Sequence, residues 1–197
     1  MSLPARWIRF DPGATGIAAA CRAFAQSQGE RGAPVCLWGR ATRQLRLDDD
    51  LWAGPGEFVF ALLVTQIHAP GRRDRWLSWG LSPVICALRR FGARAYLDGR
   101  SICLHGVRIG GGGVYEVDGR AAIFGVFPAE PPKSFESGER GKLLEFDPWL
   151  CALNHDGRSR QMLAAFRSAL EIQHGWQFDT GWPTEAERSA ISAELVQ

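Results

Sequence analysis

Positive charge in this chain is almost entirely guanidinium: 21 arginines stand against two lysines, Lys133 and Lys142. Arg40, Arg43 and Arg46 fall close together and could clamp phosphates. They could equally form a solvated loop neutralised by Asp48, Asp49 and Asp50. The run Gly110, Gly111, Gly112, Gly113 would let backbone approach a phosphate or an acyl chain closely, or it makes a flexible or bulged hairpin turn. With no following helix and Lys-Ser/Thr it is not a P-loop. Gly54, Pro55 and Gly56 either line a ligand slot or turn the chain. His105 is a candidate acid–base group or a satisfied structural histidine. Cys151 is a candidate nucleophile or a packed thiol. The tryptophans are mostly core by type, and Trp38 and Trp52 could instead pack against a ligand. His68, His155 and His174 show no metal spacing, so no metal is expected.

These residues need elements to hold them. Arg6 to Phe10 reads as a strand, and a helix capped by Thr15 runs to about Gln28, with Ile17, Ala20, Cys21, Phe24 and Ala25 on one side. Pro34 to Gly39 is a strand, followed by a loop from Arg40 through Asp50. Trp52 to Gly56 reads as a tight turn leading into Glu57 to Ile67, which is apolar on both faces and suits a central buried strand. Leu77 to Phe91 has the spacing of an amphipathic helix in which Pro83 is tolerable only near the first turn, or kinks the helix, and Ser82 could cap a helix over 83–91. Next comes a four-strand meander. Arg94 to Leu97 pairs with Ser101 to Ile109 across Asp98-Gly99, and Val114 to Val117 pairs with Arg120 to Phe127 across Asp118-Gly119. The glycine run turns between these two hairpins. Asp-Gly between apolar runs is a strong hairpin signal. Pro128 to Gly141 is a loop, Ser159 to His174 a helix, and Pro183 opens a last short helix. The order predicts an α+β fold with a mostly antiparallel sheet and flanking helices. Residues 1–197 fit a single domain with a helical C-terminal portion from about 143.

Composition narrows the function classes. With 46% hydrophobic residues and eight tryptophans the chain can bury a full core. Its net charge is only +2, with scattered arginines, so no nucleic-acid footprint stands out. The N-terminal MSLPARWIRFDPG lacks the apolar stretch of a signal peptide, and no apolar run is long enough to cross a bilayer. Five cysteines form neither a metal pair nor a disulfide framework. Cytoplasmic placement is the expectation.

The stretch from Leu97 to Phe127, together with Gly54-Pro55-Gly56-Glu57-Phe58-Val59, resembles the biotin/lipoate protein ligase and octanoyltransferase superfamily. The latter segment is similar to the octanoyltransferase G-P-G-Q-L-V. Gly99-Arg100-Ser101-Ile102-Cys103, then Gly106-Val107-Arg108, resembles G-R-K-I-A followed two residues later by G-V-R. In this register the family's catalytic lysine is Ser101. A second register, on the biotin-ligase pattern G-R-K-I-x-G-I-L-x-E, starts at Val107 and puts Arg108 at that position. In neither is there a lysine.

The resemblance implies a ligase-like catalytic domain, with Arg108 and Ser101 at the catalytic position. The ligand site would comprise Gly54, Pro55, Gly56, Gly99, Arg100, Gly110, Gly111, Gly112, Gly113, Arg40, Arg43 and Trp52. Such enzymes join a carboxylate to AMP and pass the acyl group on, so two anions meet and fixed positive charge is needed. Arginine keeps that charge in a larger, planar form, and serine does not. The expected protein therefore binds an acyl or cofactor carboxylate, or its adenylate, with transfer weakened or lost. The alternative is a non-catalytic binding domain or a scaffold recognising a carrier-protein domain. ATP is the expected co-substrate if ligation survives. The expected partners are a small carboxylate or acyl ligand and a biotinyl, lipoyl or acyl carrier domain, with neither nucleic acid nor membrane.

Overall fold

The computed structural model describes residues 2–28, 32–127 and 156–194. The expected loop Pro128 to Gly141, Cys151, His155 and both lysines lie outside these residues. The strands are β1 (Leu3–Arg9), β2 (Val35–Arg40), β3 (Leu45–Asp48), β4 (Leu51–Ala53), β5 (Phe58–Thr65), β6 (Tyr96–Asp98), β7 (Ser101–Leu104), β8 (Val107–Val117), β9 (Arg120–Phe127) and β10 (Trp176–Gly181). The helices are α1 (Pro12–Thr15), α2 (Ile17–Gln28), α3 (Trp76–Arg90), α4 (Asp156–His174) and α5 (Glu185–Glu194).

Eight strands form one sheet in the order β10-β1-β2-β5-β9-β8-β7-β6, and β3 and β4 form a separate hairpin. From β2 to β6 every pairing is antiparallel, while β10-β1 and β1-β2 are parallel. The centre is β5, buried along its whole length. Its alternate residues feed two apolar layers. Phe58, Phe60, Leu62 and Val64 face α3 and α4. Val59, Ala61 and Leu63 face α2, with Leu51 and Ala53 of the small hairpin in the same layer. The α+β, mostly antiparallel expectation therefore holds, and β10 adds an edge strand beside β1 that is not among the expected elements.

Several local expectations are corrected. The glycine run is not a turn: Gly110–Gly113 lie inside β8, paired with β7 and β9. The turn that divides the expected strand Ser101–Ile109 is His105-Gly106, with φ of 51° and 80°. Both central residues of a type I′ hairpin need positive φ, and histidine enters that region more readily than most side chains. Asp118-Gly119 forms its turn as expected, with φ of 46° and 73°. In the first hairpin Asp98 pairs with Ser101, so the loop is Gly99-Arg100 rather than Asp98-Gly99. Leu51–Ala53 is a strand, so the turn starts only at Gly54, and Leu45–Asp48 is a strand inside the expected loop. α3 begins at Trp76 and carries Pro83 in its interior. Burial of Trp76, Gly80 and Leu81 against the sheet outweighs the backbone bond that proline removes. Thr15 ends the short α1, and Gly16, with φ of 68°, separates it from α2.

Candidate functional site

The β3–β4 hairpin lies over the α2-side layer of the sheet beside β8. Between them is a cleft of about 210 Å³ lined by Asp50, Trp52, Glu57, Arg108, Gly110 and Val126, among others. Its shape depends on the absence of side chains on β8. A Cβ on Gly111 would lie 2.7 Å from the Arg100 carbonyl oxygen, 3.2 Å from a Leu51 methyl and 3.3 Å from Arg108 Nη2. A Cβ on Gly113 would lie 2.8 Å from Arg100 Nη2. Two guanidinium groups and the hairpin therefore rest on bare strand. Between the Ile102–Gly110 and Cys103–Arg108 pairs the register shifts, leaving Ile109 as an extra residue on β8. Such a bulge bends the strand and redirects the side chains beside it.

Each candidate arginine already has protein partners. Arg108 donates from Nε to the Gly110 carbonyl and from Nη2 to the Asp50 carbonyl, both at 3.3 Å. Arg100 donates from Nε to the Gly112 carbonyl at 3.1 Å and pairs through Nη2 with Asp48. Gly112 N–H returns a bond to the Arg100 carbonyl at 2.9 Å. Arg46 pairs with Asp49 and stacks over Trp52, 6.0 Å from its ring centre. Arg43 donates to the Gly13 carbonyl at 2.8 Å, and Arg40 to the Gly56 carbonyl at 2.9 Å. The Arg100 hydrogen bond, ahead of that from the Asp49 N–H, holds the Asp48 carboxyl below the usual carboxylate range.

Glu57 is the principal group that the sequence reading did not single out. It stands where the octanoyltransferase segment has glutamine, which was the only signal. It accepts the Gly54 N–H at 2.6 Å and lines the cleft with Arg108. Burial pushes its carboxyl up, against the Gly54 N–H and the Arg108 charge, which favour the anion.

The structure thus brings Arg108, Arg100, Trp52, Gly110, Gly111, Gly113 and, through Glu57, Gly54 into one neighbourhood. Ser101 opens β7 opposite Gly111, within the same strand pair as Arg108. Arg40 and Gly56 line a different cleft, and Arg43 points to Gly13. A Cβ on Gly99 would meet open space. Among the described residues no His, Cys, Asp and Glu group could hold a metal ion. No helix among them is long and apolar enough to cross a membrane.

No protein-family model matches the sequence, and no curated protein matches it. Solved structures do match. The bipartite lipoate protein ligase of Thermoplasma acidophilum superposes with a TM-score of 0.71 at 12% identity, over 99% of this chain and 93% of that one. A lipoate-protein ligase A bound with ATP gives 0.68 at 12% identity, over 100% and 95%. The biotin protein ligase of Aquifex aeolicus, in complex with biotin and ATP, gives 0.54 at 12% identity, over 87% and 70%. The fold is therefore that of the lipoate and biotin ligase catalytic domains.

Proposed function

We propose that this protein binds a small carboxylate or acyl ligand in the cleft at Arg108 and that its ligase or acyl-transfer activity is weak or lost. The observation that carries this reading is the state of the cations: among the described residues every positive group at the cleft is an arginine with protein partners, and Ser101 is neutral. Transfer from an adenylate needs preorganised charge aimed at the developing anion, and losing one such group typically costs about 10²–10³ in rate. Arg108 keeps a charge there, which supports binding.

The same surroundings fit ATP poorly. A triphosphate against the β3–β4 hairpin would meet Asp48, Asp49 and Asp50, two of which already neutralise Arg100 and Arg46. The neighbour studied together with its E2 lipoyl domain supports a carrier domain as the macromolecular partner.

Calorimetry with octanoate, lipoate and biotin, each with and without ATP, tests the reading. One of the three should bind, ATP should add little, and Arg108→Ala should abolish binding. Incubation with ATP and an apo lipoyl domain, followed by mass spectrometry, should show little product. Turnover of roughly one per second or more, ordinary for enzymes, would refute weakened activity. No binding of any of the three acids would refute the ligand assignment.

A further inference from the structure

Charge at the Arg108 cleft does not favour a simple carboxylate. Its described lining holds one guanidinium, Arg108, and two carboxylates, Asp50 and Glu57. None of the three is spent on another. Asp50 meets Arg108 only through its backbone carbonyl, and Glu57 accepts the Gly54 N–H. Among the described residues no ion pair holds either carboxylate. Glu57 is nevertheless close enough for the Arg108 charge to act on its carboxyl. A ligand carrying only a carboxylate would set a third anion against one cation, and like charges brought together in a site cost affinity.

Size and lining narrow the ligand further. The volume, about 210 Å³, is below the roughly 300–1,000 Å³ of sites for drug-sized molecules. Leu51, Ile109 and Val126 give the cleft an apolar wall, and the half-exposed Trp52 lines it as well. Arg108 and Glu57 act on each other across so small a space that a ligand meeting both must carry its two charges close together. Burial raises the Glu57 carboxyl, so an ammonium against it would offset the desolvation of the anion.

We propose that the ligand of this cleft is a small amino acid, its carboxylate on Arg108, its ammonium on Glu57 and its apolar side chain along Leu51 and Val126. The assignment rests on the carboxylate reading and adds the cation that the carboxylate must bring with it. An ammonium and a carboxylate on one carbon answer both signs of the lining at once, each through a charge-assisted hydrogen bond.

Norleucine is the probe, with hexanoate, which lacks the ammonium, and ε-aminocaproate, which carries it at the far end, as comparisons. Calorimetry is run at low salt because Arg108 is exposed. Norleucine should bind at one site per chain, about tenfold or more tighter than hexanoate, the scale of one charge-assisted contact. Binding of ε-aminocaproate should be weaker than that of norleucine. Glu57→Gln keeps an acceptor for the Gly54 N–H; it should weaken norleucine and tighten hexanoate. Asp50→Asn, at an exposed position, should shift the preference the same way by a smaller factor. Hexanoate binding as tightly as norleucine overturns the proposal and leaves the carboxylate reading standing. So does a preference unchanged in both Glu57→Gln and Asp50→Asn. Equal binding of ε-aminocaproate overturns it too, by showing that the two charges need not be adjacent. Silence of norleucine and hexanoate, together with octanoate, lipoate and biotin, overturns this proposal and the carboxylate reading alike.

Discussion

Asp48 and Arg100 form an ion pair that joins the β3–β4 hairpin to the residue immediately before Ser101. The pair stands over the glycine strand, so a carboxylate of the protein occupies a guanidinium that a ligand would need. Both side chains are partly exposed, 33% for Asp48 and 48% for Arg100. At such exposure an ion pair is worth about 0–1 kcal/mol. Asp48→Ala should therefore change unfolding free energy in urea by no more than about 1 kcal/mol, while octanoate affinity measured by calorimetry rises. A large loss of stability with no gain in affinity would mean that the pair is structural.

The two registers of the ligase-like motif make opposite demands on Ser101 and Arg108. Ser101→Lys adds a compact ammonium at the start of β7, opposite Gly111. If the octanoyltransferase-like register is right, this variant should raise acyl transfer to an apo lipoyl domain, and a gain of up to about 10²–10³ is the scale for restoring one preorganised charge. If the biotin-ligase-like register is right, Ser101→Lys changes little and Arg108→Lys gives the gain. Mass spectrometry of the lipoyl domain separates the two. No gain from either variant would overturn the proposal that the missing lysine weakens transfer.

How much of this was legible follows from where the signals lie. β5 could be read because both its faces are apolar, and the Asp118-Gly119 turn because its residue types suit positive φ at both central positions. The glycine run could not be read. Glycine signals a turn from local conformational freedom alone, whereas Gly110–Gly113 are needed for close approach by β9, Arg100, Leu51 and Leu81. That requirement comes from chain segments distant in sequence. Pro83 left two helix starts open for a similar reason, since its local rule favours a start beside it while packing on the sheet carries the helix back to Trp76. β10 carried a usable signal in the alternation Trp176-Gln177-Phe178, but its partner is β1, at the other end of the chain. Arg108, singled out through the second register of the motif, and Trp52, singled out as an aromatic, line one cleft. Pairing of the cations with Asp48 and Asp49 became visible only in three dimensions.

The glycine strand gives a stability test. A Cβ on Gly112 would lie 2.5 Å from the Phe124 carbonyl oxygen and 2.9 Å from a Leu81 methyl. The first contact is backbone of the neighbouring strand and has little room to move. Gly112→Ala should cost about 1–3 kcal/mol, the range for overpacking a filled core. At the 2–4 °C per kcal/mol usual for chains of 150–250 residues, that lowers Tm by roughly 2–12 °C. Gly71→Ala, where nothing lies within 4 Å, is the control and should be near neutral. Equal effects of the two in thermal melts would refute this account of the run.

The last prediction concerns the tie between the chain ends. Arg6 of β1 grips Glu187 of α5 through both carboxylate oxygens, with the Nη2–Oε2 contact at 3.0 Å. Glu187 also caps its own helix: Oε2 accepts the Thr184 N–H at 2.7 Å, and Thr184 Oγ1 accepts the Glu187 N–H at 3.3 Å. This is the reciprocal capping box. The Glu187 side chain is 3% exposed. Burial works to raise its carboxyl, but the Arg6 guanidinium and the Thr184 N–H outweigh it, and the net displacement is downward. A depressed folded-state pKa means that the stability from ionised Glu187 is fully present above the unfolded value, about 4.3. It fades as pH falls through the lower folded value. Glu187→Gln retains an acceptor for the cap and loses the charge. The stability gap between the parent and Glu187→Gln should be flat near neutrality and close as pH drops below about 4.3. Arg6→Ala removes two charge-assisted hydrogen bonds from the buried carboxylate and should cost about 1.5–3 kcal/mol at neutral pH. Urea melts across pH would show both, and a gap that widens with acid would reverse the sign and defeat the argument.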